Sequence, residues 1–245
     1  MVKPLIIIVG ADKGGVGKTT VTRALRDYFE LPRFAGLPRP TVWDTQFPAG
    51  DLVTFCHDAA VVNITSVSDQ MKIFDHLDGV SLVDVQAGQL AYLLQACDEA
   101  RLFDDVKTGA LRVALLHVLG PSLSSLNEIS TAVKMLGTAA THYVVKNHIN
   151  ETEYFAWDEH SVGAVALRAL ENATISIPHL DTVSNEAVQM IKASFVDFAS
   201  GRVSSEDGRK PSRTLMGRVG KWLERSWSEF DRVGLGGMIE TTFVP

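Results

Sequence analysis

The chain has 245 residues, 46% of them hydrophobic and 21% charged. It is long enough for one domain of about 200 residues with a substantial core, and too short for two ordinary domains and a linker. That balance excludes a disordered chain. Two cysteines, Cys56 and Cys97, exclude a disulfide-built miniature, cannot alone supply a four-ligand zinc site and fit a reducing compartment. With 29 acidic and 23 basic side chains the formal charge is −6, so bulk electrostatics do not draw the chain to nucleic acid, although a local basic surface still can. The opening run MVKPLIIIVG is too short for a signal h-region and lacks a cleavage site, and no stretch reaches bilayer length, which makes the cytoplasm the expected location.

Pro4 to Val9 is an apolar, β-branched run ending in glycine, the pattern of a strand buried on both faces of a parallel sheet. A helix is expected from Lys18 to about Glu30. Strand patterns recur from Thr41 to Trp43, Ala59 to Ile64, Val80 to Val85, Leu111 to Leu119, His142 to Val145 and Ala173 to Ile177. Helical periodicity covers Val67 to Leu77, Gly88 to Phe103, Leu123 to Leu136, His160 to Glu171 and Asn185 to Ser200. The alternation predicts βαβ crossovers over residues 1–200: an α/β fold with a doubly wound, mostly parallel sheet and helices on both faces. Residues 201–212, GRVSSEDGRKPS, read as a solvated linker, and 213–245 as a helix of its own, about Arg213 to Val233, with a tail.

The run Gly10-Ala-Asp-Lys-Gly-Gly-Val-Gly-Lys-Thr-Thr20 reads as GxxxxGK[ST], from Gly10 or its neighbours through Gly17, Lys18 and Thr19, set between a strand and a helix as a phosphate loop requires. Gly14, Gly15, Val16, Gly17, Lys18, Thr19 and Thr20 are the expected cradle. Close glycines let backbone N–H groups turn around phosphate oxygens, and the helix N-terminus adds positive potential there. Lys18 is assigned to the terminal phosphates and the Thr19 hydroxyl to Mg2+.

A second lysine, Lys13, gives KGGVGKTT, and here the chain resembles the deviant Walker A ATPases of the ParA and MinD type, to which the nitrogenase iron protein also belongs. In that family the extra lysine crosses a dimer interface to the partner's nucleotide, so the resemblance implies an ATP-sandwich homodimer. Val42-Trp43-Asp44-Thr45-Gln46 looks like the family's D-x-D-x-Q segment with Val42 in place of its first acid. The resemblance makes Asp44 the group that orients water and accepts its proton; an aspartate capping a loop is the alternative. Leu82 to Gly88, LVDVQAG, is similar to the D-S-P-A-G segment, with Asp84 holding the magnesium hydration shell, Gly88 freeing the next loop to answer the γ-phosphate, and Gln86 where relatives have proline, giving an extra N–H and more freedom. Asn147 occupies the place of an adenine contact, and Asn147-His148-Ile149-Asn150 lacks the lysine and acid of a guanine-reading N-K-x-D, which favours ATP over GTP. Pro178 resembles the family's proline beside the base, although a strand-ending proline needs no such role.

Seven histidines show no HExxH or other ligand spacing, no GxSxG elbow appears, and Asp158, Glu159 and His160 more simply start a helix than form an acid–base site. The cysteines are not placed to bridge a cluster, which sets a redox role aside. The resemblance implies a dimerisation switch with slow ATP hydrolysis that positions a cargo (a plasmid, chromosome region, division or conjugation component) through an unidentified partner. The alternative is a metabolic ligase or synthetase activating a small carboxylate. In the last helix Leu215, Val219, Trp222, Leu223, Phe230 and Val233 form an apolar stripe beside Arg213, Arg218, Lys221, Arg225 and Arg232. Two readings stand: residues 213–233 lie in an anionic membrane surface, placing the protein at the inner membrane face, or the stripe packs on a domain. Nonspecific DNA binding through Arg209, Lys210, Arg213 and Arg218 is a third.

Overall fold

The computed structural model describes residues 3–11, 13–119, 127–137, 140–148, 173–205 and 208–243. Its centre is a seven-stranded sheet of β1 (Leu5–Gly10), β2 (Thr41–Asp44), β3 (Ala59–Val61), β4 (Val80–Asp84), β5 (Arg112–Leu119), β6 (Thr141–Asn147) and β7 (Thr174–Ile177). The order is β3-β2-β4-β1-β5-β6-β7 and every pairing is parallel, the doubly wound α/β fold expected. Every residue of β1 is buried, which explains its unbroken apolar run: a strand covered by helices on both faces has no polar alternation.

One face carries α1 (Lys18–Tyr28), and the other α2 (Val67–Phe74), α3 (Leu90–Glu99), α4 (Leu102–Thr108) and α5 (Asn127–Leu136). Beside α1 lie α6 (Thr182–Ile191), α7 (Phe195–Ala199), α8 (Arg213–Arg232) and α9 (Leu235–Glu240). Two expected helices are each divided. Arg101 at φ 60° and Lys192 at φ 54° take the left-handed conformation, which ends α3 and α6, and the Ser194 hydroxyl then accepts from Asp197 N and caps α7. The helix expected over 160–171, with the Asp158–His160 cluster, lies outside the described residues.

The last helix does not stand apart. The side chains of Val219, Trp222, Leu223 and Phe230 are buried in the same core as Leu25 and Tyr28 of α1. Trp222 Nε1 donates to Pro178 O at 2.7 Å and Trp227 Nε1 to Ala24 O at 2.9 Å, so both indoles meet their polar need inside the domain. The tail is tied down as well: Lys3 N donates to Thr242 O at 3.2 Å and Arg112 Nη1 to Thr241 Oγ1 at 2.8 Å. Of the two readings of the stripe, packing on its own domain is the one observed. No helix among the described residues is long and apolar enough to cross a membrane.

The α1 face holds a buried cation. Arg23 is 2% exposed, with its guanidinium 3.6 Å from the Phe55 ring centre and 4.1 Å from that of Phe195, and Nη2 donating to Ala193 O at 3.1 Å. A planar, weakly hydrated cation between two ring faces is a placement that favours arginine over lysine. On the opposite face, His117 Nε2 and His142 Nδ1 lie 3.0 Å apart with the rings stacked.

Two predictions follow from this packing. Trp222→Glu inserts a charge into a closed core and should lower the unfolding free energy by about 3–5 kcal/mol in urea titrations. His117 is pushed down to about 3, by burial and then by His142. Below the unfolded value of about 6.5 the unfolded chain takes a proton that the folded state refuses, so stability is full above that pH and is lost as pH falls. Between pH 7 and 5 the wild type should lose about 2 kcal/mol more than His117→Gln.

Candidate phosphate-binding site

All parallel strands end on one edge, and the order reverses around β1: the chain leaves β1 toward β2 and returns to its other side at β5. Such a reversal leaves a crevice beyond the strand ends. A cavity of about 370 Å³ sits there, walled by Gly14, Gly15, Gly17, Lys18, Thr19 and Thr20 after β1, by Asp44, Gln46 and Asp51 after β2, and by Asp84, Val85, Gln86 and Ala87 after β4.

The loop after β1 is shaped by backbone that only glycine adopts readily: Gly15 has φ 74° and Gly17, the N-cap of α1, φ 83°. Val21 N closes the first helical bond on Gly17 O at 3.1 Å. The amides of Lys18, Thr19 and Thr20 therefore have no carbonyl ahead of them in the helix, where an anion is favoured. Lys18 Nζ reaches back to Lys13 O at 3.3 Å. The strict motif, counted five residues back from Gly17, falls on Asp12, not on a glycine, and Asp12 lies outside the described residues. Gly10 has another role, because a Cβ there would lie 2.9 Å from Leu90 Cδ1, so its bareness lets α3 close on the sheet.

Asp84 is 4% exposed. Thr19 Oγ1 donates to its Oδ2 at 2.8 Å and Thr22 Oγ1 to its Oδ1 at 3.0 Å. Burial pushes the Asp84 carboxyl up to about 7, against the pull of the Thr19 hydroxyl and with the push of the Asp44 charge. A carboxylate whose proton is this weakly surrendered, beside a hydroxyl at the cavity wall, is an oxygen pair suited to a hard divalent cation, which would replace the proton as counter-charge. The residues therefore fit Mg2+.

Asp44 lies beside Asp84 in the ladder and is 1% exposed. Gln46 N donates to its Oδ1 at 2.9 Å and Leu52 N to its Oδ2 at 2.8 Å, so it does cap the loop from 46 to 52. Gly50 permits this close fold, since a Cβ there would meet Asp44 Oδ2 at 2.9 Å. The extra N–H at Gln86 brings no freedom: it donates to Thr45 Oγ1 at 2.8 Å.

Other expected residues lie outside the cavity wall. Val16 is 2% exposed, beneath the loop, and Gly88 is exposed at φ 76° beyond Ala87. Asn147 is 2% exposed at the end of β6, and its Nδ2 donates to Val16 O at 2.8 Å, bracing the loop from behind. Pro178 gives its carbonyl to Trp222. The sequence assigns no role to Asp51, Thr22 or Thr45. Only Thr22 left a signal, three residues after Thr19 and so on the same helix face.

Comparison with models of known protein families and with curated proteins finds no match. Asn147→Asp should turn a carboxylate oxygen toward the Val16 carbonyl. A loss of about 1–3 kcal/mol in urea stability, with faster amide exchange over Gly14 to Thr19, is the expected result.

Proposed function

We propose that this protein is an ATPase of the ParA and MinD type, an ATP-dependent dimerisation switch with slow hydrolysis that positions a cellular cargo. The observation that carries the reading is the meeting of Lys18, Thr19, Asp44 and Asp84 around one cavity at the sheet reversal. In this reading the loop amides and Lys18 hold the β- and γ-phosphates. Thr19 and Asp84 would hold Mg2+, which when bound neutralises developing phosphate charge. Asp44, one strand away, orients the attacking water and takes its proton; each of its oxygens keeps a lone pair beyond its amide bond. Lys13, exposed at the loop's rim, serves the partner copy's nucleotide across the dimer.

The buried stripe of α8 supports no membrane contact by that face. Of the basic residues considered for DNA, Arg218 sits 3.3 Å from Asp181. The surface that stimulates turnover is the one whose addition, as DNA or as anionic vesicles, accelerates phosphate release by the wild type.

Two lysines separate binding from dimerisation. Lys18→Ala should weaken ATP binding by about 30- to 150-fold, the value of one charge-assisted hydrogen bond. Lys13→Ala should bind ATP yet remain monomeric by light scattering. Dimerisation equal to wild type would remove Lys13 from the interface and favour a ligase chemistry instead.

A further inference from the structure

We propose that Thr45 is a positioning residue whose hydroxyl joins the two walls of the cavity, so that Asp44 and Asp84 keep one spacing and the loops that follow them move together. The backbone ladder between β2 and β4 ends at the pair Asp44 and Asp84. One residue further, Thr45 N still donates to Asp84 O at 3.0 Å. After that, the chains must part to open the cavity, and the Thr45 carbonyl turns back to accept from Phe47 N at 2.8 Å. The next amide of the β4 side, Gln86 N, thereby loses a backbone acceptor on the β2 side. Thr45 Oγ1 takes that place at 2.8 Å, so the side chain carries the ladder one step beyond the backbone.

The position of this bond gives it leverage. Thr45 is 1% exposed, which shields the bond from competing water. On the β2 side the Asp44 carboxylate gathers Gln46 N and Leu52 N, so the wall bearing Gln46 and Asp51 is braced against the same residue that precedes Thr45. On the β4 side Gln89 N donates to Gln86 O at 3.1 Å, which connects Gln86 to the start of α3. Between them Gly88, at φ +76° with open space around it, is the point where the β4 wall can bend. A displacement on either side therefore reaches the other through one hydroxyl. Valine in place of Thr45 keeps the shape and removes the acceptor; serine keeps the acceptor.

The inference deepens the ATPase reading and rests on it for turnover, while its first test needs no nucleotide. Amide exchange of the full chain without nucleotide should be about tenfold faster at Gln86 in Thr45→Val and within about twofold of wild type in Thr45→Ser. In ATP hydrolysis Thr45→Val should lower kcat about tenfold with KM within about twofold, and Thr45→Ser should restore kcat. Gln86→Pro deletes the donor from the other side without touching Thr45; it should match Thr45→Val in kcat, and the double variant should be no slower than either single one. It also serves if the valine variant fails to fold. Wild-type exchange at Gln86 in Thr45→Val, or additive losses in the double variant, overturns the proposal. If the wild type hydrolyses no ATP, the ATPase reading falls and the exchange at Gln86 alone decides whether Thr45 joins the walls.

Discussion

A carboxylate taken out of water at the end of a central strand must find donors or give up its charge, and Asp84 does some of each. The hydroxyls of Thr19 and Thr22, one turn apart on α1, hold its two oxygens. They thereby fix the rotation and height of α1 against β4. Because α1 begins directly at the glycine loop, the same two bonds set where the loop amides point. Asn147 completes the support from β6 by holding the Val16 carbonyl. The cavity is shaped by polar side chains that lie mostly behind it, on strands to either side of β1, and the glycines at its surface adopt the form these supports allow.

What the sequence made legible follows from how each feature is encoded. Parallel strands covered on both faces, such as β1 and β4, appear as largely apolar runs, and all seven strands overlap the segments that the sequence marks as strands. The glycine loop is contiguous, so its residue types and its spacing can be read together. The divided helices are not legible, because Arg101 and Lys192 are ordinary helix formers whose left-handed conformation nothing in their local sequence announces. The α9 segment shows the same conflict from the other side. Its glycines argue against a helix, yet a Cβ on Gly236 would lie 2.6 Å from the Tyr28 hydroxyl, so the residue that weakens the helix is what lets it dock.

The site residues divide along the same line. Asp44 and Asp84 could be found because each ends an apolar run, and a polar residue there is conspicuous. Thr45 and Asn147 do their work through atoms 41 and 131 positions away in sequence: Gln86 N for one, Val16 O for the other. Adjacency of that kind is a property of strand order, which composition and periodicity do not specify. The extra amide at Gln86 is of the same kind: a donor that looks spare along the chain is used by Thr45, a neighbour that only the sheet supplies.

The placement of α8 has a consequence for the order in which the domain is completed. The helix that begins at the glycine loop is synthesised well before α8, yet Ala24 of that helix receives its side-chain donor from Trp227, about two hundred positions later. Until α8 emerges, α1 and the β7 edge lack the part of their cover that Val219, Trp222, Leu223 and Phe230 supply. A nascent chain carrying every residue of the cavity still lacks the Trp227 bond and the α8 side chains that complete the cover of α1. The cavity is thus assembled from residues 14–87 and secured from residues 213–232, and a chain interrupted in between is left with an open core.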